Sequence, residues 1–598
     1  MLLPNRFRIK KETHVFFYAV ITGIISGLIA MIFTLLLDFT EKGISSLHQF
    51  GETQGKSIEE KFDFISGFPL ISALIIFLPA AGGLICGLII YFFCREAEGT
   101  GTDEMINAFH NKEGKINTRV PFYKSLATIF TLSSGGSGGK EGPISQIGAG
   151  IGVSIANLAG AGPRGRRTLM LSGTAAGLGA AFKTPLGGAL TAVEMVYKKD
   201  IESDALIPCF ISSVTAYLVY VAYAGTEPLL SITEKESFHF TEIGFYLLLG
   251  VLCYLFGFLF IKGFNDASRF IRKIKIPSWL KPALGGLLTG IIALFFFEIS
   301  GTGHLYLQNV ISGNLPHFFL QKGLLFTILS VLIVALLKIV ATTITIGSGG
   351  SAGIFGPSLF IGAMLGAAVG VIAKFFLNNP EVTVVTYMVV GMGAFYAGVA
   401  NAPIAGIIMI CEMTGSYALL PPVIIVSIFT FILSRQISFY KNQVDDRFSS
   451  PAHIWDMKRD VIEQIIIKDY FPEFRLLALI NKNASFSEVR ELANYYHSSD
   501  FIVVDEQLNY VGSLSLRKIN LNQSDKVQGN LNASYITDKS VPAVKVTDSL
   551  GKVLNIIMQY DVDKVAVTEE DNKTIGYIRS RDVFAAYAKQ TEKNKSGK

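Results

Sequence analysis

Apolar stretches recur along this chain from about Val15 to Tyr440, many of them roughly 20 residues long and so able to cross a bilayer as helices. The pattern predicts a first span over 15–37, a polar, amphipathic interval over 38–65 and a second span over 69–94. After Tyr440 the pattern changes. Residues 441–598 are charged and carry no span. Two units are expected there, about 455–520 and 535–590, each closing on an apolar strand pattern, a turn and a helix start: FIVVDEQLNYVGSLSLRKI and KVAVTEEDNKTIGYIRSRDVF. Residues 591–598 read as a disordered polar tail.

Several apolar segments are interrupted in a way that a simple helix bundle would not need. GTGTDEM (99–105), SSGGSGGKEGP (133–143), GTGHLYL (301–307) and GSGGSAGIFGP (347–357) place glycine, proline and polar residues inside the membrane-like part. Irregular backbone at that depth persists only where it is buried in protein or lines a cavity. The interruptions also repeat. GGSGGKEGPISQIGAGIG (135–152) aligns with GGSAGIFGPSLFIGAMLG (349–366), identical at more than half the positions. TLMLSGTAAGLGAAFKTPLGGALTAVEM (168–195) aligns with TYMVVGMGAFYAGVANAPIAGIIMICEM (386–413), pairing Pro185 with Pro403 and Glu194 with Glu412. The halves are expected over about 69–225 and 243–440. Broken segments at matching places in two halves point to a transport site between them. The sequence leaves open whether the repeat is parallel or inverted.

Composition agrees. Half of the residues are hydrophobic and 17% charged, against about 25% charged in a typical soluble domain. A net charge of +5 is too small to suggest a nucleic-acid partner. Cys86, Cys94, Cys209, Cys253 and Cys411 lie in or beside apolar segments without metal or redox spacing and read as small buried hydrophobes. Arg6, Arg8, Lys10 and Lys11 favour a cytoplasmic N-terminus, residues 1–14, with no removable signal peptide. Residues 131–152 hold the main chemistry. Glycines there allow close approach of backbone N–H groups, and a helix N-terminus adds its positive dipole end, so the turn is a ready anion site. Lys140 and Glu141 stand at its centre, and ionisable groups at membrane depth are functional candidates.

Taken together, GTGTD, GGKEGP, GGSAGIFGP, a late tyrosine and a charged tail resemble the CLC chloride channel and transporter family over nearly the whole chain. The resemblance implies an α-helical polytopic membrane protein of inverted repeats of tilted and broken helices (15–440), followed by a cytoplasmic α/β pair of CBS modules (441–590). It implies a homodimer in the plasma (inner) membrane with both termini cytoplasmic, and permeation of chloride or a similar small anion with protons as the other partner. It makes Glu141 the external gate, a carboxylate that competes with the anion until it is protonated.

A pore must replace an anion's hydration shell yet release the ion. Partial charges do this; a full lysine charge would hold the anion too tightly. The anion-binding candidates are therefore the amides near Gly142, Ile354 and Phe355 and the hydroxyls of Thr100 and Tyr440. Thr100 stands where the family's GSGIP has its serine, with Thr102 and Asp103 replacing Ile-Pro. Tyr440 resembles the tyrosine of the family's S-x-Y. Lys140 reads as a buried counter-charge that holds the loop, and Tyr417 as structural. Proton-exchanging members carry an internal glutamate where this chain has Met195. The neighbouring Glu194 is the remaining candidate for an internal proton route, although its repeat partner Glu412 marks it as scaffold. The expectation is passive or loosely proton-coupled conduction. The alternatives are a tightly coupled antiporter with a non-standard route, a cation-coupled solute symporter, and a membrane sensor. An ATPase is excluded because GGSGGKEG lacks the Ser/Thr that follows the Walker lysine. No enzymatic activity, metal or membrane-part cofactor is expected. An adenine nucleotide is the candidate ligand of the tail, but its ribose pattern is split. Ser515 is followed by Lys518 in place of the acid, and Asp582 is preceded by Arg579 in place of the hydroxyl.

Overall fold

The computed structural model describes residues 11–54, 67–230, 232, 238–311, 323–379, 381–453, 465–470, 479–496, 498–516, 532–560, 562–569, 571–583, 585 and 586. The chain forms two units, Met1–Ala452 and His453–Lys598. Arg6, Arg8, Lys10, Lys518 and residues 591–598 lie outside the described residues.

In the first unit, α1 (Lys11–Gln54) and α2 (Pro69–Phe92) lead into α3 (Thr102–Asn111), α4 (Val120–Ser133), α5 (Glu141–Leu158), α6 (Pro163–Ala181), α7 (Pro185–Glu194) and α8 (Leu206–Ala224). The second half repeats this order. After α9 (Ile243–Lys273) and α10 (Lys281–Phe295) come α11 (His304–Ile311), α12 (Leu324–Gly347), α13 (Phe355–Leu377), α14 (Val384–Ala400), α15 (Pro403–Thr414) and α16 (Leu420–Ser434). Among the described residues, seven stretches are long and apolar enough to cross a membrane, from His14–Glu41 to Phe355–Leu377. The short helices are set by punctuation. Proline opens α7 and α15, and left-handed residues close α14 at Asn401 (φ 53°) and α15 at Gly415 (φ 67°). The polar interval expected over 38–65 is helix as far as Gln54. Its Glu, Lys and Gln residues are good helix formers, so loss of hydropathy marks where apolar surface ends and not where the helix does.

Each half is built on one close helix pair, α5 with α6 and α13 with α14. A Cβ on Gly148 would collide with the Gly173 carbonyl, and one on Gly173 with the Gly148 carbonyl; Gly362 and Gly391 block each other in the same way. Small residues at these crossings let the backbones touch, which substitutes for a hydrophobic driving force in lipid.

The halves then interlock through contacts that come in reciprocal pairs. Gly139 and Gly353, equivalent in the repeat, exchange N–H···O bonds of 2.7 and 2.6 Å. Thr128 and Ser351 share a hydrogen bond of 2.9 Å, and their counterparts Thr342 and Ser137 share one of 3.0 Å. The Glu194 carboxylate accepts from the N–H groups of Ile404 (3.1 Å) and Ala405 (2.7 Å) at the start of α15. Glu412 accepts from Leu186 (3.1 Å) and Gly187 (2.7 Å) at the start of α7. Contacts that swap halves in this way require a pseudo-two-fold axis, and the Gly139–Gly353 bridge lies on it.

The second unit contains two small sheets of one design. β1 (Leu479–Asn481) pairs in parallel with β2 (Asp500–Val504), which pairs antiparallel with β3 (Tyr510–Ser515). β4 (Val544–Lys545), β5 (Lys564–Thr568) and β6 (Thr574–Arg579) repeat the arrangement. The helices α17 (Phe486–Tyr496) and α18 (Leu550–Tyr560) fill the crossovers. Lys564 ties the sheets together by lying over the rings of Phe501 (5.3 Å) and Tyr577 (5.1 Å). Its partial burial lowers its pKa from the ordinary lysine value, while Asp500 and Asp563 oppose that shift.

Candidate functional site

The two glycine turns meet on the pseudo-two-fold, and each feeds a helix that starts there. Glu141 opens α5 and Phe355 opens α13. The first intrahelical bonds are Ile144 N–H to Lys140 and Ser358 N–H to Ile354. Pro143 and Pro357 have no N–H, so the donors left at these two starts belong to residues 141, 142, 355 and 356. The starts of α7 and α15 are already filled by carboxylates from the opposite half. At α5 and α13 the acid lining the space, among the described residues, is Glu141.

Glu141 is 2% exposed, and neither carboxylate oxygen has a hydrogen-bond partner among the described residues. A buried carboxylate without hydrogen bonds is costly, so its persistence here asks for a function. A methyl group on Gly139 would overlap Glu141 Oε2 and crowd Gly356 N at 2.8 Å, and one on Gly356 would lie 3.2 Å from Oε1. The carboxylate therefore sits in a seat cleared by one glycine from each half. Gly139→Ala is expected to push it out. Chloride flux at neutral pH should rise and its dependence on pH weaken, at a stability cost of about 1–3 kcal/mol from overpacking. Unaltered flux from a well-folded Gly139→Ala protein would place the carboxylate elsewhere.

A small cavity beside this seat is lined by Glu141, Gly142, Ile354, Phe355 and Tyr440, and also by Thr102, Ser145, Leu178, Thr191, Met195, Tyr396 and Met409. The structure thus brings together five of the six residues assigned to the anion and gate by sequence. Thr100 is not at the cavity. It lines a wider cleft with Gly99, Gly101, Asp103, Phe439 and Lys441, and its carbonyl packs against Gly142. Positive φ at Gly99 (73°) and Gly101 (79°) turns the chain so that the next hydroxyl, Thr102, reaches the cavity, within hydrogen-bonding reach of the Tyr440 phenol.

Asp103 secures this corner by accepting from the backbone N–H (3.0 Å) and side-chain amide (3.0 Å) of Asn442, two residues beyond Tyr440. Tyr396 completes the wall, its ring edge-on to Phe355 at 4.5 Å. Sequence reasoning missed Thr102 and Tyr396. In sequence the first is only a departure from the family's Ile-Pro, since its direction is set by the φ angles of the turn before it; nothing distinguishes the second from a core tyrosine.

Lys140 does not line the cavity. Its Nζ lies 5.9 Å from the Phe182 ring centre, and its charge acts on Glu41 of α1. Two other buried lysines repeat across the halves. Lys124 donates to the carbonyls of Ala97 (3.0 Å) and Gly99 (2.7 Å), and Lys338 to those of Ile299 (2.9 Å) and Gly301 (3.0 Å), so each fixes the GTG turn of its own half. Met195 lines the cavity, whereas the Glu194 carboxylate is turned to the start of α15. Tyr417 is exposed at the far end of α15. In the second unit, Arg579 takes both oxygens of Asp582 at 3.0 Å, and Ser515 ends β3 opposite Asp500.

Comparison with known proteins gives a consistent picture. A family model described as voltage gated chloride channel matches residues 82–435, and one described as CBS domain matches residues 533–589. A ClcB-like chloride channel protein of Ralstonia nicotianae is 30% identical over 362 residues, covering 60% of this chain and 82% of that one. The H+/Cl− exchange transporter ClcA of Vibrio vulnificus is 29% identical over 430 residues, covering 70% of this chain and 86% of that one. Among solved structures, a slow cyanobacterial Cl−/H+ antiporter superposes with a TM-score of 0.60 at 21% identity, covering 73% of this chain and 95% of that one.

Proposed function

Because the chain belongs to the voltage gated chloride channel family, the CLC proteins, we propose that it carries chloride across a membrane along the cavity at the junction of its halves, with Glu141 as the protonatable gate. One observation carries this reading. The Glu141 carboxylate is buried without a hydrogen-bond partner among the described residues, at the junction where α5 and α13 start. A tethered anion in an anion site competes with chloride until it is protonated. The cation-coupled symporter finds no support in the family match.

Around the gate, the amides near Gly142, Ile354 and Phe355 and the hydroxyls of Tyr440 and Thr102 replace chloride's hydration shell. Thr102→Val and Tyr440→Phe are each expected to weaken chloride binding by about 0.5–1.5 kcal/mol, the worth of one ordinary hydrogen bond, and Thr100→Val to leave it unchanged. Calorimetric titration of chloride into the purified protein checks this; a loss confined to Thr100→Val would return the hydroxyl role to Thr100.

Coupling to protons is loose or absent in this reading, because the acid that proton-exchanging members carry is Met195 here. A tightly coupled exchanger is the second reading, favoured by the name of the Vibrio relative. The working protein is a homodimer with one pathway per subunit and both termini cytoplasmic, a placement supported by the basic residues at 6–11 and the charged tail. The tail binds adenine nucleotides weakly or not at all, since the Arg579 fork already fills the Asp582 carboxylate. Titration of ATP and AMP into the full-length protein should give no tight, saturable binding; tight binding insensitive to Asp582→Ala would put a site elsewhere in the tail.

A further inference from the structure

His304 faces the gate from the second half. It is the first residue of α11, and its Nε2 lies 3.8 Å from Glu141 Oε1. Both atoms are buried without a hydrogen-bond partner, while the imidazole side chain keeps 18% of its surface exposed. The position is fixed by the fold. Gly301 (φ 55°) and Gly303 (φ 78°) shape the turn before it, Lys338 holds that turn's carbonyls, and Gly138 N–H donates to Gly301 at 3.2 Å. Superposing GTGT (99–102) on GTGH (301–304) makes His304 the repeat counterpart of Thr102. The residue after each GTG turn therefore flanks the Glu141 seat. One half supplies a hydroxyl to the cavity wall and the other an imidazole 3.8 Å from the carboxylate.

Resting on the reading of Glu141 as gate, we propose that His304 is its proton relay, delivering protons from water on the α11 side and taking them back. The proton leaves Nε2 of the imidazolium and joins Oε1 of Glu141. The N–H electron pair remains on the ring, a carboxylate lone pair makes the new O–H bond, and an opposite-charge pair becomes two neutral groups. Reloading puts a proton back on Nε2, the basic nitrogen of the ring that remains: the ring turns to bring it to water, takes a proton from hydronium and turns back. At 3.8 Å the two atoms are beyond direct hydrogen bonding, so transfer uses one bridging water or an approach of about 1 Å. Among the described residues, the other charged or titratable groups around this pair are Glu41 and Asp38 on α1, Lys140 before α5, Lys338 on α12, Tyr306 on α11 itself, Tyr396 on α14 and Tyr440. Glu41 accepts from Thr302 in the same turn at 3.5 Å, and Lys140 and Lys338 both act on its charge. Of these groups, the imidazole of His304 is the one whose nitrogen lies 3.8 Å from the Glu141 carboxylate with no hydrogen-bond partner among the described residues.

The test is chloride flux from proteoliposomes as a function of pH. His304→Gln keeps a polar side chain but carries no proton. Its flux at neutral pH should fall by about tenfold, with the midpoint moved to more acidic pH, because Glu141 must then draw protons directly from solvent. Free imidazole should restore most of the flux lost in His304→Ala, and Glu141→Gln/His304→Gln should match Glu141→Gln alone. Wild-type flux and midpoint in His304→Gln, with Glu141→Gln insensitive to pH, would overturn the relay and leave the gate standing. A loss in His304→Ala that imidazole does not restore, and that adds to Glu141→Gln, would also overturn it in favour of a packing role. A pH response that survives in Glu141→Gln would remove the gate first and the relay with it.

Discussion

Chloride flux through reconstituted Glu141→Gln protein is expected to be the same in acid and in base. In the proposed mechanism the carboxylate competes for the seat between Gly139 and Gly356, and only its protonated form yields to the anion. Flux should therefore rise as pH falls, changing on the order of tenfold per pH unit above the midpoint, as the protonated fraction of a single group does. Glutamine fills the same volume without a charge, so the competitor is gone at every pH. Glu141→Ala should behave alike, because it removes the side chain altogether. A wild-type pH profile in either variant would assign the gate to another group.

The second large effect concerns protons. When a chloride gradient is imposed across proteoliposomes, little or no uphill proton movement is expected. By the family resemblance, fixed-ratio exchange uses an internal acid at the position of Met195, whose side chain lines the cavity here. Glu194 is adjacent in sequence, but its two oxygens are held by Ile404 and Ala405. Glu194→Ala should therefore act on stability, by about 1.5–3 kcal/mol for a charged hydrogen-bond acceptor, and leave any proton movement unchanged. A constant proton-to-chloride ratio that persists in Glu194→Gln would establish an exchanger with a different internal route.

Much of this arrangement could be read before the structure. The glycine and proline interruptions mark the helix starts because few other residues permit those turns, and their repetition marks the two halves. The turns give Gly142, Ile354 and Phe355, the family resemblance gives Glu141 and Tyr440, and all five line one cavity. Thr100 does not, because the direction of its side chain depends on two positive φ angles that a one-dimensional alignment does not carry. Tyr396 lies in an apolar helix whose inward faces look alike in sequence. His304 has no motif of its own, and its meaning appears only when the turn bearing it is seen across the axis from Glu141. The polar end of α1 was hidden for a different reason, since helix continuity is a backbone property to which hydropathy is blind.

The exchange of carboxylates between halves also sets a timetable for biogenesis. Glu194 waits for N–H groups 210 residues downstream, and the start of α7 waits for an acid 226 residues beyond it. Neither bond can close until residue 405, and then residue 412, has left the ribosome. Until then the nascent first half carries a bare acid and an uncapped helix end at membrane depth, the condition in which quality-control machinery finds its substrates. Closing such distant pairs makes the topology one of high contact order, with correspondingly slow assembly. The same reciprocity makes the finished unit a single cooperative body, since loosening one half strips the helix caps from the other.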